Sequence, residues 1–224
     1  MEPKKKTAYH HGDLRRTLLD VSIEAIEQQG VEALNLRALA ARAGVSSGAP
    51  YHHFADRLEL LAAIAQEGFQ LLGQAMTRSR DAAPAEAGAR LDALGLAYVR
   101  FAVEHPGHFR AMFRGEAHPA RASAQSTANQ QAFRMLLAAI EDCQRAGRAP
   151  AGDPQPLVLT AWSIVHGLST LWLDGALPNT NLDPALLAPM VTTLTSRMFA
   201  ALARDSAGQP LADAPTSPSA DRPV

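Results

Sequence analysis

Between its prolines and glycines, nearly every stretch of this chain repeats apolar residues at three- and four-residue spacing, and no stretch alternates apolar with polar residues over the length of a strand. Such a pattern can bury its apolar side only as helices packed on helices. Alanine and leucine, both strong helix formers, dominate the repeats. The chain is therefore expected to be all-α. Its punctuation marks the segments. Asp13 suits the N-cap of a helix running to about Gln29, with Leu14, Leu18, Val21, Ala25 and Ile26 on one stripe. Asn35 suits the cap of a short helix, Leu36 to Ala43, stopped by Gly44. A second short helix follows from Ser46 or Ser47 to about His53. Asp56 then caps a long helix through about Arg78, with Leu60, Leu61, Ile64, Leu71, Leu72 and Met76 turned inward. Further helices are expected at 85–104, 106–114, 120–146, 154–174 and 183–203, which makes about nine.

Composition sets the outer limits. With 224 residues, 47% hydrophobic and 19% charged, the chain can bury a sizeable core. It carries no unbroken run of eighteen apolar residues and no leader-like start, so it is expected to be soluble and cytoplasmic. Its single cysteine, Cys143, excludes an intrachain disulfide framework and a cysteine-based zinc site. The net charge of −1 conceals a local excess: residues 1–19 hold Lys4, Lys5, Lys6, Arg15 and Arg16 against Glu2 and Asp13. The expected division is a head at 1–57, a helical body at 58–204 joined to it by the long fourth helix, and a disordered tail at 205–224 rich in Ala, Pro, Ser and Asp.

Residues 36–57 carry the chemistry. Leu36, Leu39, Ala40 and Ala43 form the inner stripe of the first short helix, and small Ala40 lets a second helix approach. Gly44 supplies the left-handed residue of a tight turn, Val45 fills the angle between the two helices, and Ser46 or Ser47 caps the second. A helix-turn-helix of this kind holds one helix proud of the surface, as insertion into a DNA major groove about 12 Å wide requires. On that helix Ser47, Gly48 and Ala49 are small enough for close approach, while Tyr51 and His52 offer donors suited to phosphate. Phe54 anchors its end. The backbone N–H groups opening the long helix at Asp56–Arg57, with the Arg57 side chain, form a further expected phosphate site.

Tyr9-His10-His11-Gly12-Asp13-Leu14-Arg15, Leu36-Arg37 through Ala43-Gly44-Val45-Ser46, and Tyr51-His52-His53-Phe54 stand at the order and spacing of one known family. The chain resembles the N-terminal domain of TetR/AcrR-type regulators over about residues 9–64. The resemblance implies an all-α homodimer with an N-terminal helix-turn-helix head and a C-terminal body that binds a small molecule. It further implies a transcriptional repressor that leaves a palindromic operator on double-stranded DNA when the ligand binds. Carried over by position, Arg37 would contact phosphate or a base edge, and Ser46, Ser47, Gly48, Ala49, Tyr51 and His52 would fall on or open the recognition helix. Arg15 would lie in the basic arm, and Arg57 would stand where the family usually places a lysine. Pro50 is a departure, since many members have Leu or Thr there.

The body carries a second resemblance. Ala161-Trp162-Ser163-Ile164-Val165-His166-Gly167-Leu168, with His105-Pro106-Gly107-His108-Phe109 upstream, is similar to the C-terminal domain of the Trp-His-Gly (WHG) type. The 157–173 helix is apolar on more than one face and so must be covered on both sides. With the last helix it supplies the candidate dimer interface: Leu168, Trp172, Leu187, Val191, Leu194 and Met198. Two readings stand for Trp162 and His166, a hydrogen-bonded core pair or the polar handle of an apolar pocket lined by Phe101, Phe109, Met112, Phe113 and Phe133.

Two other function classes compete. The eight histidines raise a metal-dependent enzyme, but His10/His11 and His52/His53 are adjacent pairs, and His105, His108 and His118 form no HExxH pattern. No phosphate loop, nucleophile elbow or cofactor motif accompanies them, so no enzyme, no metal and no cofactor is expected. A DNA-bound activator or scaffold without a small-molecule inducer is the other alternative, because a helix-turn-helix head serves either sign of regulation.

Overall fold

The computed structural model describes residues 14–113, 127–177 and 183–205. The basic arm at Lys4–Lys6, the Asp13 cap, His10, His11, His118, residues 120–126 and the tail beyond Asp205 lie outside these described residues. Among the described residues there are eight α-helices, two 3₁₀ turns and no strand. The helices are α1 (Leu14–Gln29), α2 (Leu36–Arg42), α3 (Arg57–Ala82), α4 (Ala87–Glu104), α5 (Pro106–Met112), α6 (Thr127–Arg145), α7 (Gln155–Leu173) and α8 (Pro184–Asp205). The 3₁₀ turns are Val31–Ala33 and Ala49–His52. The expected ninth helix, from Ser46 or Ser47 to His53, is thus only a four-residue turn. Its opening residue is Gly48, with no side-chain cap.

Two compact units interleave along the chain instead of following one another. One holds residues up to 74 together with 101–132, and the other holds 75–100 with 133 onward. Residues 101–113 join the first unit because α5 packs on α1.

In the first unit, α1 buries Leu18, Leu19, Ala25 and Ile26. Ser22 is buried among them because its hydroxyl donates to the Leu18 carbonyl. Asn35 caps α2 as expected, its side-chain oxygen accepting from the N–H groups of Arg37 (2.9 Å) and Ala38 (3.3 Å). Asp56 accepts from the Glu59 N–H at 2.8 Å, and Glu59 reaches back to the Ala55 N–H at 2.6 Å, a reciprocal cap at the start of α3. Beyond it Leu60, Leu61, Ile64, Phe69 and Leu72 are buried.

Helix α5 closes on α1 at Gly107. A Cβ placed there would stand 2.8 Å from the Ile23 carbonyl oxygen and 2.9 Å from Glu27 Cγ. The approach is fixed on both sides: Arg110 donates to the Glu27 carbonyl at 3.1 Å, and the Gly107 N–H reaches the Glu27 carboxylate at 3.4 Å. A polar chain runs beside this contact. Arg16 of α1 donates to Glu67 of α3 at 2.7 Å, and the other Glu67 oxygen lies 3.2 Å from buried His108 Nε2 of α5. Burial holds the His108 imidazole below its usual range, although Glu67 pulls the other way. A neutral ring with its proton on Nε2 donates to Glu67 and leaves Nδ1 as an unpartnered acceptor among the described residues.

In the second unit α7 packs against α8. Leu157, Val158, Ala161, Val165 and Ser169 of α7 are buried, as are Ala188, Thr192, Thr195 and Phe199 of α8. Ser169 and Thr195 donate to their own helix at the carbonyls of Val165 and Val191, which allows these hydroxyls inside. By length and composition both helices are apolar enough to cross a membrane.

Two outcomes follow from the α1–α5 contact. Gly107→Ala meets the Ile23 backbone carbonyl as well as the Ile23 and Glu27 side chains, so it should destabilise the protein by about 1–3 kcal/mol, seen as a lower urea midpoint at unchanged slope. His108 titrates below its unfolded value of 6.5. Its contribution is therefore intact above that pH and is lost as pH falls through the folded value, where the unfolded chain binds more protons. Urea unfolding at pH 7.5 and 5.5 should show stability falling in acid. The fall should be smaller in His108→Gln, which retains an N–H for Glu67 but cannot titrate.

Candidate nucleic-acid interface

The head is built so that a few short residues stand outward over a closed core. Leu36, Leu39 and Ala40 of α2 are buried, and the Val45 N–H bonds the Ala40 carbonyl at 3.0 Å. Gly44, at φ +71°, makes the intervening reversal possible. The chain then tightens through successive short bonds: Ala49 N–H to Ser46 O, Tyr51 N–H to Gly48 O, and His53 and Phe54 N–H to Pro50 O, at 3.0–3.2 Å. Pro50, which has no N–H to satisfy, is buried at this turn. Phe54 is fully buried, and the Arg15 guanidinium of α1 lies 5.1 Å above its ring centre.

The exposed surface left by this packing includes Arg37 on α2, Ser46, Ser47 and Gly48 on the link, and Tyr51 and His52 on the turn. Tyr51 is 49% exposed despite its size. Ala49 is half-buried. These residues belong to one stretch whose two elements, α2 and the 49–52 turn, touch. The geometry offers hydroxyls, an imidazole and a guanidinium on a short, narrow projection.

Two sequence-predicted residues make contacts within the head. Arg57 is half-buried and donates to the Val31 carbonyl at 3.1 Å, tying the start of α3 to the 31–33 turn. Arg15 covers Phe54. The N–H groups of Ala55 and Glu59, at the opening of α3 where phosphate contact was expected, are occupied by the Glu59 and Asp56 carboxylates. Sequence reasoning overlooked this reciprocal cap, although Glu59 three residues after Asp56 is its recognisable signal. The sequence expectation for Pro50, a place in a first turn where a missing N–H is tolerated, agrees with its standing early in the 49–52 turn, and the fold additionally buries it.

The seven pocket candidates divide between the units. Phe101, Phe109 and Met112 are buried in the first, where Phe113 meets Phe69 edge-on at 5.8 Å and Phe109 at 5.0 Å. Phe133, Trp162 and His166 belong to the second, with Phe133 exposed. Trp162 and His166 converge on Tyr98 of α4, which sequence reasoning had not singled out. The Trp162 N–H reaches Tyr98 Oη at 3.3 Å, and Tyr98 Oη lies 2.8 Å from His166 Nδ1. Indole can only donate, so the tyrosine O–H is left to donate to the imidazole. Burial lowers the His166 pKa, consistent with that neutral form, and raises the pKa of Tyr98. No local signal could have shown Tyr98, which is remote from both partners in sequence. Among the described residues no three His, Cys, Asp or Glu side chains gather as a metal-ligand set.

Of the interface candidates, Leu194 and Met198 are exposed, whereas Leu168, Trp172, Leu187 and Val191 are half-buried. The outward row of α8 is Leu186, Met190, Leu194, Met198 and Leu202, of which Leu186, Met190 and Leu194 are 61–65% exposed. Leu159 and Leu171 are likewise exposed on α7.

Known proteins share both the sequence pattern and the fold. The HTH-type transcriptional regulator BetI of Paraburkholderia phymatum is 38% identical over 80 residues, covering 36% of this chain and 41% of BetI. The chain thus spans less than half the length of that relative. A protein of unknown function from Rhodococcus sp. RHA1 is 36% identical, with a TM-score of 0.71 over 88% of this chain and 98% of the other. The regulator FadR of Bacillus subtilis, solved in complex with stearoyl-CoA, shares the fold at 15% identity and a TM-score of 0.66, over 81% of this chain and 97% of FadR. Residues 91–194 match the tetracyclin repressor-like C-terminal domain, and residues 18–64 match the bacterial regulatory proteins of the tetR family. With the head and most of the body matched in order, the chain belongs to the tetR family of bacterial regulatory proteins.

Proposed function

We propose that the protein is a sequence-specific DNA-binding transcriptional regulator, a repressor released from a palindromic operator by a small-molecule ligand. The observation that carries the reading is the outward set Arg37, Ser46, Ser47, Gly48, Tyr51 and His52, held on a closed core by Pro50 and Phe54 in a chain of this family. Residues 1–57 form the DNA-binding head in this reading, and 58–204 form the ligand-binding and dimerisation body, acting in the cytoplasm. Arg37 supplies charge to the phosphate backbone, and Tyr51 and His52 supply hydrogen bonds to it. Arg15 and Arg57 act mainly by holding that surface in place, with any remaining N–H directed to phosphate.

The body acts through two features. The apolar row of α8, with Leu159 and Leu171 of α7, meets the same row of a second copy, which sets two heads against two half-sites. The Trp162, His166 and Tyr98 cluster supports the WHG-type reading of the body, since its tryptophan and histidine share one hydrogen-bonding centre. The stearoyl-CoA held by FadR supports a body that accommodates small molecules.

Selection of bound duplexes from a random pool should return a near-palindrome; failure to enrich any duplex would remove the reading. On that duplex Arg37→Ala should weaken binding about tenfold and lower the salt slope by about 1. Tyr51→Ala should weaken binding without changing the slope, because it removes no charge. Leu194→Glu should convert a dimer to a monomer in sedimentation at unchanged helical content, and it should abolish tight binding to the two-half-site duplex.

A further inference from the structure

A cavity of about 320 Å³ in the second unit opens between the start of α4, the end of α6 and the latter half of α8. It is lined by three arginines, Arg148, Arg197 and Arg204, together with Ser196, and Cys143 is buried at its side. Arg197 and Arg204 are seven residues apart on one helix, so they stand two turns and about 10 Å apart along its axis. Arg148 comes from a different element.

Two carboxylates beside the wall, Glu86 and Asp92, offset part of its charge but are fewer than its three arginines. Glu86 pairs with Arg148 at 2.6 Å, but both side chains are half exposed or more, which makes that pair weak and exchangeable. Among the described residues no carboxylate forms an ion pair with Arg197 or Arg204. The acid behind them, Asp92 of α4, lies against the Ser196 and Thr193 hydroxyls. Burial pushes its carboxyl above the usual range, while the two hydroxyls and the charges of Arg197 and Arg148 pull it back down, so it offsets part of the positive charge on this wall. Guanidinium groups on one concave wall repel one another, and a planar oxyanion relieves that repulsion by taking paired N–H bonds. The volume admits a small molecule and excludes a macromolecule.

We propose that this cavity is a binding site for a small organic molecule with two separated anionic groups, carboxylate or phosphate, one held by Arg197 and the other by Arg204, with Arg148 contributing from a different element. The site is distinct from the Trp162, His166 and Tyr98 cluster, and it does not depend on the proposed DNA-binding role.

The test is calorimetry on the full chain with citrate and with inorganic pyrophosphate as probes, against sodium chloride at matched ionic strength. At least one probe should bind saturably at one per chain with a dissociation constant at or below about 1 mM. The double variant Arg197→Gln/Arg204→Gln should lose about tenfold or more in affinity for that probe. The control Arg78→Gln/Arg145→Gln removes two exposed arginines elsewhere in the same unit and should bind as the unaltered chain does. Citrate alone would mark the site as a carboxylate site, and pyrophosphate alone as a phosphate site. No saturable binding of either probe, or equal loss in the two double variants, overturns the proposal. All four substituted arginines lie at the surface, so matched thermal melts verify that each variant is folded. DNA selection on the unaltered chain reports separately on the role of the head.

Discussion

The burial of Phe54 is the contact on which the head's outward surface depends. Its backbone N–H closes the tight turn on Pro50, its ring fills the core, and the Arg15 guanidinium lies over its face. A four-residue turn has too few internal bonds to hold its own shape in water. The turn exists because Pro50 and Phe54 are drawn inward at its middle and end, and Tyr51 and His52 face solvent as the remainder of that geometry. Removing the ring would leave a cavity and release a buried attachment at the turn's end.

The same logic extends through the first unit. Asn35 fixes where α2 starts, the Asp56–Glu59 pair fixes where α3 starts, and Gly107 fixes how closely α5 approaches α1. Each is a local device, and each sets the position of a longer element. The Arg16, Glu67 and His108 chain then joins three helices through one carboxylate. Burial opposes the ionised carboxylate, but its two partners outweigh that cost and hold it ionised.

Much of this was legible in the sequence because it is governed by local chemistry. Period, caps and breakers located the helices: Asn35 caps where it was expected to, and Gly44 takes the left-handed conformation. The recognition segment was read too long because Ser46, Ser47 and Gly48 look like a helix opening, while the constraint that shortens the turn, Pro50 going into the core, is tertiary. In α8 the period revealed apolar residues but could not rank its faces. Leu187 and Val191 belong to the same helix as Leu186 and Met190, and only the packing of α7 shows which pair remains outside. Tyr98 was invisible for a different reason: its meaning comes from two residues on another helix. The interleaving of the two units was hidden likewise, because it follows from α5 lying on α1 and not from any linker in the chain.

The brevity of the 49–52 turn has a further consequence for information. Four residues in 3₁₀ geometry extend about 8 Å along their axis, the length of about two or three stacked base pairs. In the proposed role, a reader that short would meet a suitable sequence by chance about once in every few dozen positions, against the millions of competing sites that a genome supplies. Discrimination must therefore be pooled from several such readings, and the distance between them becomes as informative as the bases. In that proposed arrangement the separation of two heads would itself be part of the address.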